Sequence, residues 1–107
     1  LTIAAIIIAP TDQGFCVPVS TESFFKRCWI PGIQSLQLEM VSYFADPGID
    51  LTKEHFPELV RELSLLREWA NKSLEEKDAT FLIGRVDFLI QKMTEVFNDE
   101  AVILYIG

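Results

Sequence analysis

The sequence predicts an α+β fold: a single small domain whose sheet is built from the N-terminal, middle and C-terminal strands, with two long helices packed on it. Three observations carry this. Residues 2–8 and 101–106 are unbroken apolar runs of strand length. Residues 52–72 and 79–97 instead repeat apolar side chains every three or four positions, the period of a helix with one buried face. Polar turn chemistry separates these blocks. The chain has 107 residues, and no segment divides it into two blocks able to fold alone, so residues 1–107 read as one domain. With half its residues hydrophobic and 8 Phe, it has large side chains to bury against the entropy of ordering the backbone.

In order along the chain, residues 2–8 are rich in Ile and suit a strand covered on both faces, closed by Pro10, which cannot donate to a ladder. Thr11, Asp12, Gln13 and Gly14 have turn composition, and residues 15–19 return as a short strand that Pro18 confines to an edge. Ser20 fits a helix N-cap, with Glu22 in the first turn and Phe24, Phe25, Cys28 and Trp29 on a buried face. Pro31-Gly32 should interrupt that helix. Residues 38–44 alternate Leu38, Met40, Ser42 and Phe44 with Glu39, Val41 and Tyr43, as the two faces of a middle strand would. Turn chemistry follows from Ala45 to Asp50. Thr52 caps the next helix, and Pro57 requires residues 52–56 to form a separate first turn. Phe56, Leu59, Leu63, Leu66 and Ala70 define its core stripe; Leu82, Val86, Leu89, Met93 and Val96 define that of the last helix. The closing run 101–106 is expected inside the sheet.

Against 9 Lys and Arg stand 16 Asp and Glu, a formal charge of -7. That charge repels phosphate backbones and anionic lipid, so direct nucleic-acid or membrane binding is not expected. It favours encounter with a basic protein, although net charge also serves solubility. The apolar start is far short of a membrane span and lacks the basic flank of a signal peptide. Because the sequence begins at Leu1 without an initiator Met, a removed leader stays open, and a cytoplasmic location is the default expectation. Cys16 and Cys28 permit one disulfide, but two reduced thiols are the default reading, with Cys28 a small buried hydrophobe.

Catalytic chemistry finds no purchase. His55 is the only histidine, no serine sits in a nucleophile elbow, and every glycine is isolated, so no catalytic residue, metal site or cofactor is expected. A lone histidine more commonly faces solvent or packs than catalyses. Gly84, mid-helix, reads as a site of close helix packing. The acidic residues carry more. Glu54, Glu58 and Glu62 recur every four residues and share one helical face, with Asp46 and Asp50 on the preceding loop. These five carboxylates form a candidate surface for Lys or Arg of a partner; Glu58 and Glu62 could equally form ordinary solvated ion pairs with Arg61. Tyr43 and Trp69 are the aromatic residues best able to anchor an interface, Trp69 with a competing place in the core.

The segments Val19-Ser20-Thr21-Glu22-Ser23-Phe24-Phe25, Trp29-Ile30-Pro31 and Phe56-Pro57-Glu58-Leu59-Val60-Arg61-Glu62-Leu63 resemble, in their general order and setting, small acidic immunity proteins of bacterial toxin systems. The resemblance implies a stoichiometric inhibitor that covers the active site of a basic toxin through an acidic surface, here Asp46, Asp50, Glu54, Glu58, Glu62 and Tyr43. The alternative is a homo-oligomeric structural or regulatory domain, with a second copy of the chain as its partner.

Overall fold

A computed structural model describes residues 1–11 and 13–107. Strand β1 (Thr2–Ala9) alternates between two environments: Ile3, Ala5 and Ile7 are almost fully buried, whereas Ile6 and Ile8 are 38% and 45% exposed. The expectation of cover on both faces is therefore corrected. The core lies on one face of the pleat, and the isoleucines of the other face meet water. Strand β2 (Cys16–Thr21) pairs antiparallel with β1 and forms an edge of the sheet, where Pro18 is tolerated. Ile3 pairs with Ser20 and Ala4 with Pro18, so Val19 bulges, and Val19 and Ser20 are both buried. The turn expected at Thr11, Asp12, Gln13 and Gly14 includes Asp12, which lies outside the described residues.

The first helix is capped one residue later than Ser20: Phe24 N–H donates to Thr21 Oγ1 at 3.2 Å. Helix α1 (Glu22–Phe24) continues through a π-helical turn, Phe25–Trp29, into α2 (Ile30–Leu36). Pro31-Gly32 does not interrupt it. Pro31 occupies the first turn of α2, and the wider turn ahead of it, with Ile30 N–H reaching Phe25 O, absorbs the bond that proline cannot donate. Gly32 is required by packing: a Cβ there would lie 2.6 Å from side-chain carbons of Leu66 and Trp69.

The strand expected over residues 38–44 is absent. Gln37 turns left-handed at φ 55°, Leu38 N–H closes on Ile33 O at 3.0 Å, and Val41–Tyr43 forms a 3-10 turn. Burial falls on Leu38, Val41 and Phe44, a spacing of three that the alternating reading missed. The middle strand is instead β3 (Ile49–Leu51), within the stretch that reads as turn. A 3-10 turn, Lys53–His55, then leads into α3 (Phe56–Ser73), as Pro57 demands. Helix α4 (Glu76–Val96) follows after Leu74 and Glu75. Leu59, Leu63, Leu66 and Ala70 of α3 and Leu82, Val86, Leu89 and Met93 of α4 are fully buried. Strand β4 (Ile103–Ile106) pairs with both β1 and β3, closing a four-stranded antiparallel sheet of order β2-β1-β4-β3. The fold is α+β, with one continuous core beneath the sheet. Among the described residues no helix is long and apolar enough to cross a membrane.

Candidate functional site

Among the described residues strand β3 pairs only with β4 and so forms the second edge of the sheet. A short strand bearing a charge, here Asp50, resists pairing with other chains through such an edge. Asp46 precedes β3, Asp50 lies within it and Glu54 follows it; all are exposed. Among the described residues none of the three has a cation within ion-pair distance. The one cation of this stretch, Lys53, is directed instead to Glu100, at 3.7 Å. The loop before β3 is tied down by Tyr105, which stands opposite Asp50 on β4 and donates its hydroxyl to Pro47 O at 3.2 Å.

Beside this edge the 3-10 turn and α3 enclose an open concavity of about 480 Å³, lined by Glu39, Tyr43, His55, Glu58, Arg61 and Glu62 among others. Tyr43 is 42% exposed at its rim. Arg61 grips Glu58 with two nitrogens, Nε to Oε1 at 3.0 Å and Nη2 to Oε2 at 2.6 Å. That hydrogen bonding holds the Glu58 carboxyl below the usual carboxylate range and raises Arg61 in turn. Both side chains stand in water, so the pair contributes little to stability. His55 is a local turn group: its Nδ1 accepts the Thr52 N–H at 3.0 Å.

Glu62 behaves differently from its helical neighbours. It is 3% exposed, and its two carboxylate oxygens accept the backbone N–H groups of Met40 and Val41, at 3.1 and 3.0 Å. It therefore caps the 3-10 turn and stands outside the exposed acidic face that the spacing predicts. It is also the reason residues 38–44 cannot be a strand, since two of the required ladder donors point at a carboxylate. Of the six residues expected at the site, Tyr43, Glu58 and Glu62 line one concavity. Asp46, Asp50 and Glu54 lie along the adjoining edge. The part left free for a partner is Asp46, Asp50, Glu54 and Tyr43, with Glu39 at the rim.

Among the described residues no group of three or more His, Cys, Asp or Glu could hold a metal ion. Cys16 is exposed and Cys28 buried, and neither forms a disulfide. Burial pushes the Cys28 thiol up, and the negative charge of Asp78 adds to the effect. Cys28 is thus a thiol and a packing group at neutral pH. No family model matches the chain, and neither a curated protein nor a solved structure does.

A second surface escapes the sequence reading. On the outer side of α4, Phe81 is 47% and Phe88 42% exposed. Arg85 lies over the Phe81 ring at 5.1 Å and Lys92 near the Phe88 ring at 5.5 Å. Phe24 of α1 meets Phe81 edge-on at 5.1 Å and carries Arg27 at 5.4 Å. The signal was present: Lys77, Phe81, Arg85, Phe88 and Lys92 recur at three and four residues, on a face flanking the leucine stripe.

Proposed function

We propose that this domain is a binding protein without catalytic activity of its own, and that it acts as an immunity-type inhibitor, seating its acidic edge over the active site of a basic toxin. One observation carries the reading. Asp46, Asp50 and Glu54 are exposed along the β3 edge of the sheet, near the half-exposed Tyr43, with no ion-pair partner among the described residues. Carboxylates left without internal partners attract a cationic surface and raise its rate of encounter, while an aromatic side chain beside them supplies buried area on contact. Co-expression with the product of the adjacent gene tests it. The expected result is that this chain binds that product and abolishes its toxicity. The triple variant Asp46→Asn, Asp50→Asn, Glu54→Gln should lose protection while keeping its thermal midpoint. A neighbouring product that is neither toxic nor bound contradicts the proposal.

A second reading rests on the other face of β1, where Ile6 and Ile8 are exposed and Ile6 pairs with Cys16 and Tyr105 across the sheet. This apolar row, which carries a charge only at its far end where Tyr105 stands opposite Asp50, suits a homo-oligomeric structural or regulatory domain. Light scattering separates the two: a strict monomer at high concentration removes it, and a dimer that Ile6→Lys dissociates supports it.

A further inference from the structure

A glycine in the middle of a helix normally answers a packing need, and Gly32 shows what that need looks like in this chain. Gly84 has no such need. It is exposed in α4, and a Cβ built on it would find nothing within 4 Å. Glycine in a helix interior is less favourable than alanine, so the fold alone does not account for the residue. Its surroundings are an open notch of about 360 Å³ with Phe81 on one side and Phe88 on the other. Lys77, Phe81, Arg85, Phe88 and Lys92 continue this stripe for about 22 Å along the helix. Among the described residues Lys77 and Arg85 have no carboxylate within ion-pair distance: Lys77 feels Asp78 only through its field, and Arg85 Nη1 donates to Pro18 O at 3.5 Å. Asp78 and Glu95, the acids of the same side, are engaged by Arg27 at 2.7 Å and Lys92 at 3.7 Å.

We propose that the outer face of α4 is a second docking surface, for an acidic amphipathic helix of another protein whose backbone approaches at Gly84. Its apolar side chains pack between Phe81 and Phe88, and its carboxylates meet Lys77 and Arg85. Charge complementarity selects this occupant. A symmetric antiparallel pairing of two copies about Gly84 would set Lys77 of one against Lys92 of the other, which opposes self-association here. The acidic edge at β3 is not involved, so this surface stands or falls independently of the inhibitor reading.

The test uses the full chain and a synthetic amphipathic helix of about 16 residues, long enough to follow the stripe, with leucines on one side flanked by glutamates. A control peptide carries lysine in place of glutamate. Amide chemical-shift mapping should place the acidic peptide on Phe81, Gly84, Arg85 and Phe88, and the lysine peptide should leave those residues unmoved. Gly84→Leu fills the notch and Arg85→Glu reverses the charge; each should weaken binding about tenfold or more, and Gly84→Leu should not lower the thermal midpoint. Asp50→Asn should bind the peptide as the parent chain does. The proposal is overturned if the acidic peptide fails to bind at millimolar concentration or if both peptides bind alike. It is equally overturned if Gly84→Leu binds normally, if a thymidine oligonucleotide competes for the same residues, or if the chain occupies this face by self-association.

Discussion

At the β3 edge, carboxylates stand in water with a tyrosine among them; on the outer face of α4, cations lie against phenylalanine rings. The formal charge of -7 describes neither region. What separates them is how the charges are used internally. Around β3 Lys53 is drawn away to Glu100 and Arg61 is held by Glu58, which leaves Asp46, Asp50 and Glu54 without an ion-pair partner among the described residues. On the outer face of α4, Asp78 is engaged by Arg27 and Glu95 by Lys92, which leaves Lys77 and Arg85 without a carboxylate at ion-pair distance among the described residues, while Glu76 stands exposed at the start of the helix. Internal pairing therefore sorts a mixed sequence into two surfaces of different character.

Substitutions that move a residue from one role to the other test this sorting. The largest effect is expected at Glu62, which shares the helical face of Glu54 and Glu58 but belongs to the fold. Glu62→Ala strands the buried N–H of Val41 and the part-buried N–H of Met40 and should lower the unfolding free energy by about 3 kcal/mol in urea titration. A loss comparable to that of an exposed glutamate would return Glu62 to the surface. Next come the two glycines. Gly32→Ala forces a methyl against Leu66 and Trp69 and should cost about 2 kcal/mol. Gly84→Ala meets nothing and should stabilise by about 0.5–1 kcal/mol. If both destabilise, the notch on α4 has a structural reason of its own.

The smaller effects concern charge. The triple neutralisation of Asp46, Asp50 and Glu54 should leave thermal stability within about 0.5 kcal/mol, because none of the three is used by the fold. Acid sensitivity should trace instead to the paired carboxylates. Arg27 holds Asp78, and Arg61 holds Glu58, below the ordinary carboxylate range, chiefly by hydrogen bonding. A carboxyl that is more acidic when folded contributes stability that is fully present above its unfolded value, about pH 4, and is lost as pH falls through its folded value. Asp78→Asn and Glu58→Gln should each flatten the fall of thermal midpoint below that pH, slightly, since both pairs face solvent.

Both long helices were legible from periodicity, because their apolar spacing reports a buried face directly, and β1 and β4 from unbroken apolar runs of strand length, although the run over β1 hid that only one of its faces is buried. The middle strand was not. Residues 38–44 alternate in sequence, but the donors a ladder needs are taken by Glu62, a contact 21 and 22 residues away that no local pattern reveals. The true strand, Ile49–Leu51, is three residues long and lies within turn-forming sequence, where composition outweighs pattern. The same long-range bond limits the site. Spacing placed Glu54, Glu58 and Glu62 on one face, and only burial distinguishes a free carboxylate from a cap. On α4 the leucine stripe is the stronger periodic pattern and masks the weaker recurrence of Phe81 and Phe88 with their basic neighbours.

The separation of the two surfaces is tested most directly by amide chemical-shift mapping of the whole chain titrated with a lysine-rich peptide at low and at moderate salt. Shifts should concentrate on Tyr43, Asp46, Ile49, Asp50 and Glu54 and weaken steeply as salt is added. Shifts spread evenly over every exposed carboxylate of the chain, or gathered on Phe81 and Phe88, would contradict it.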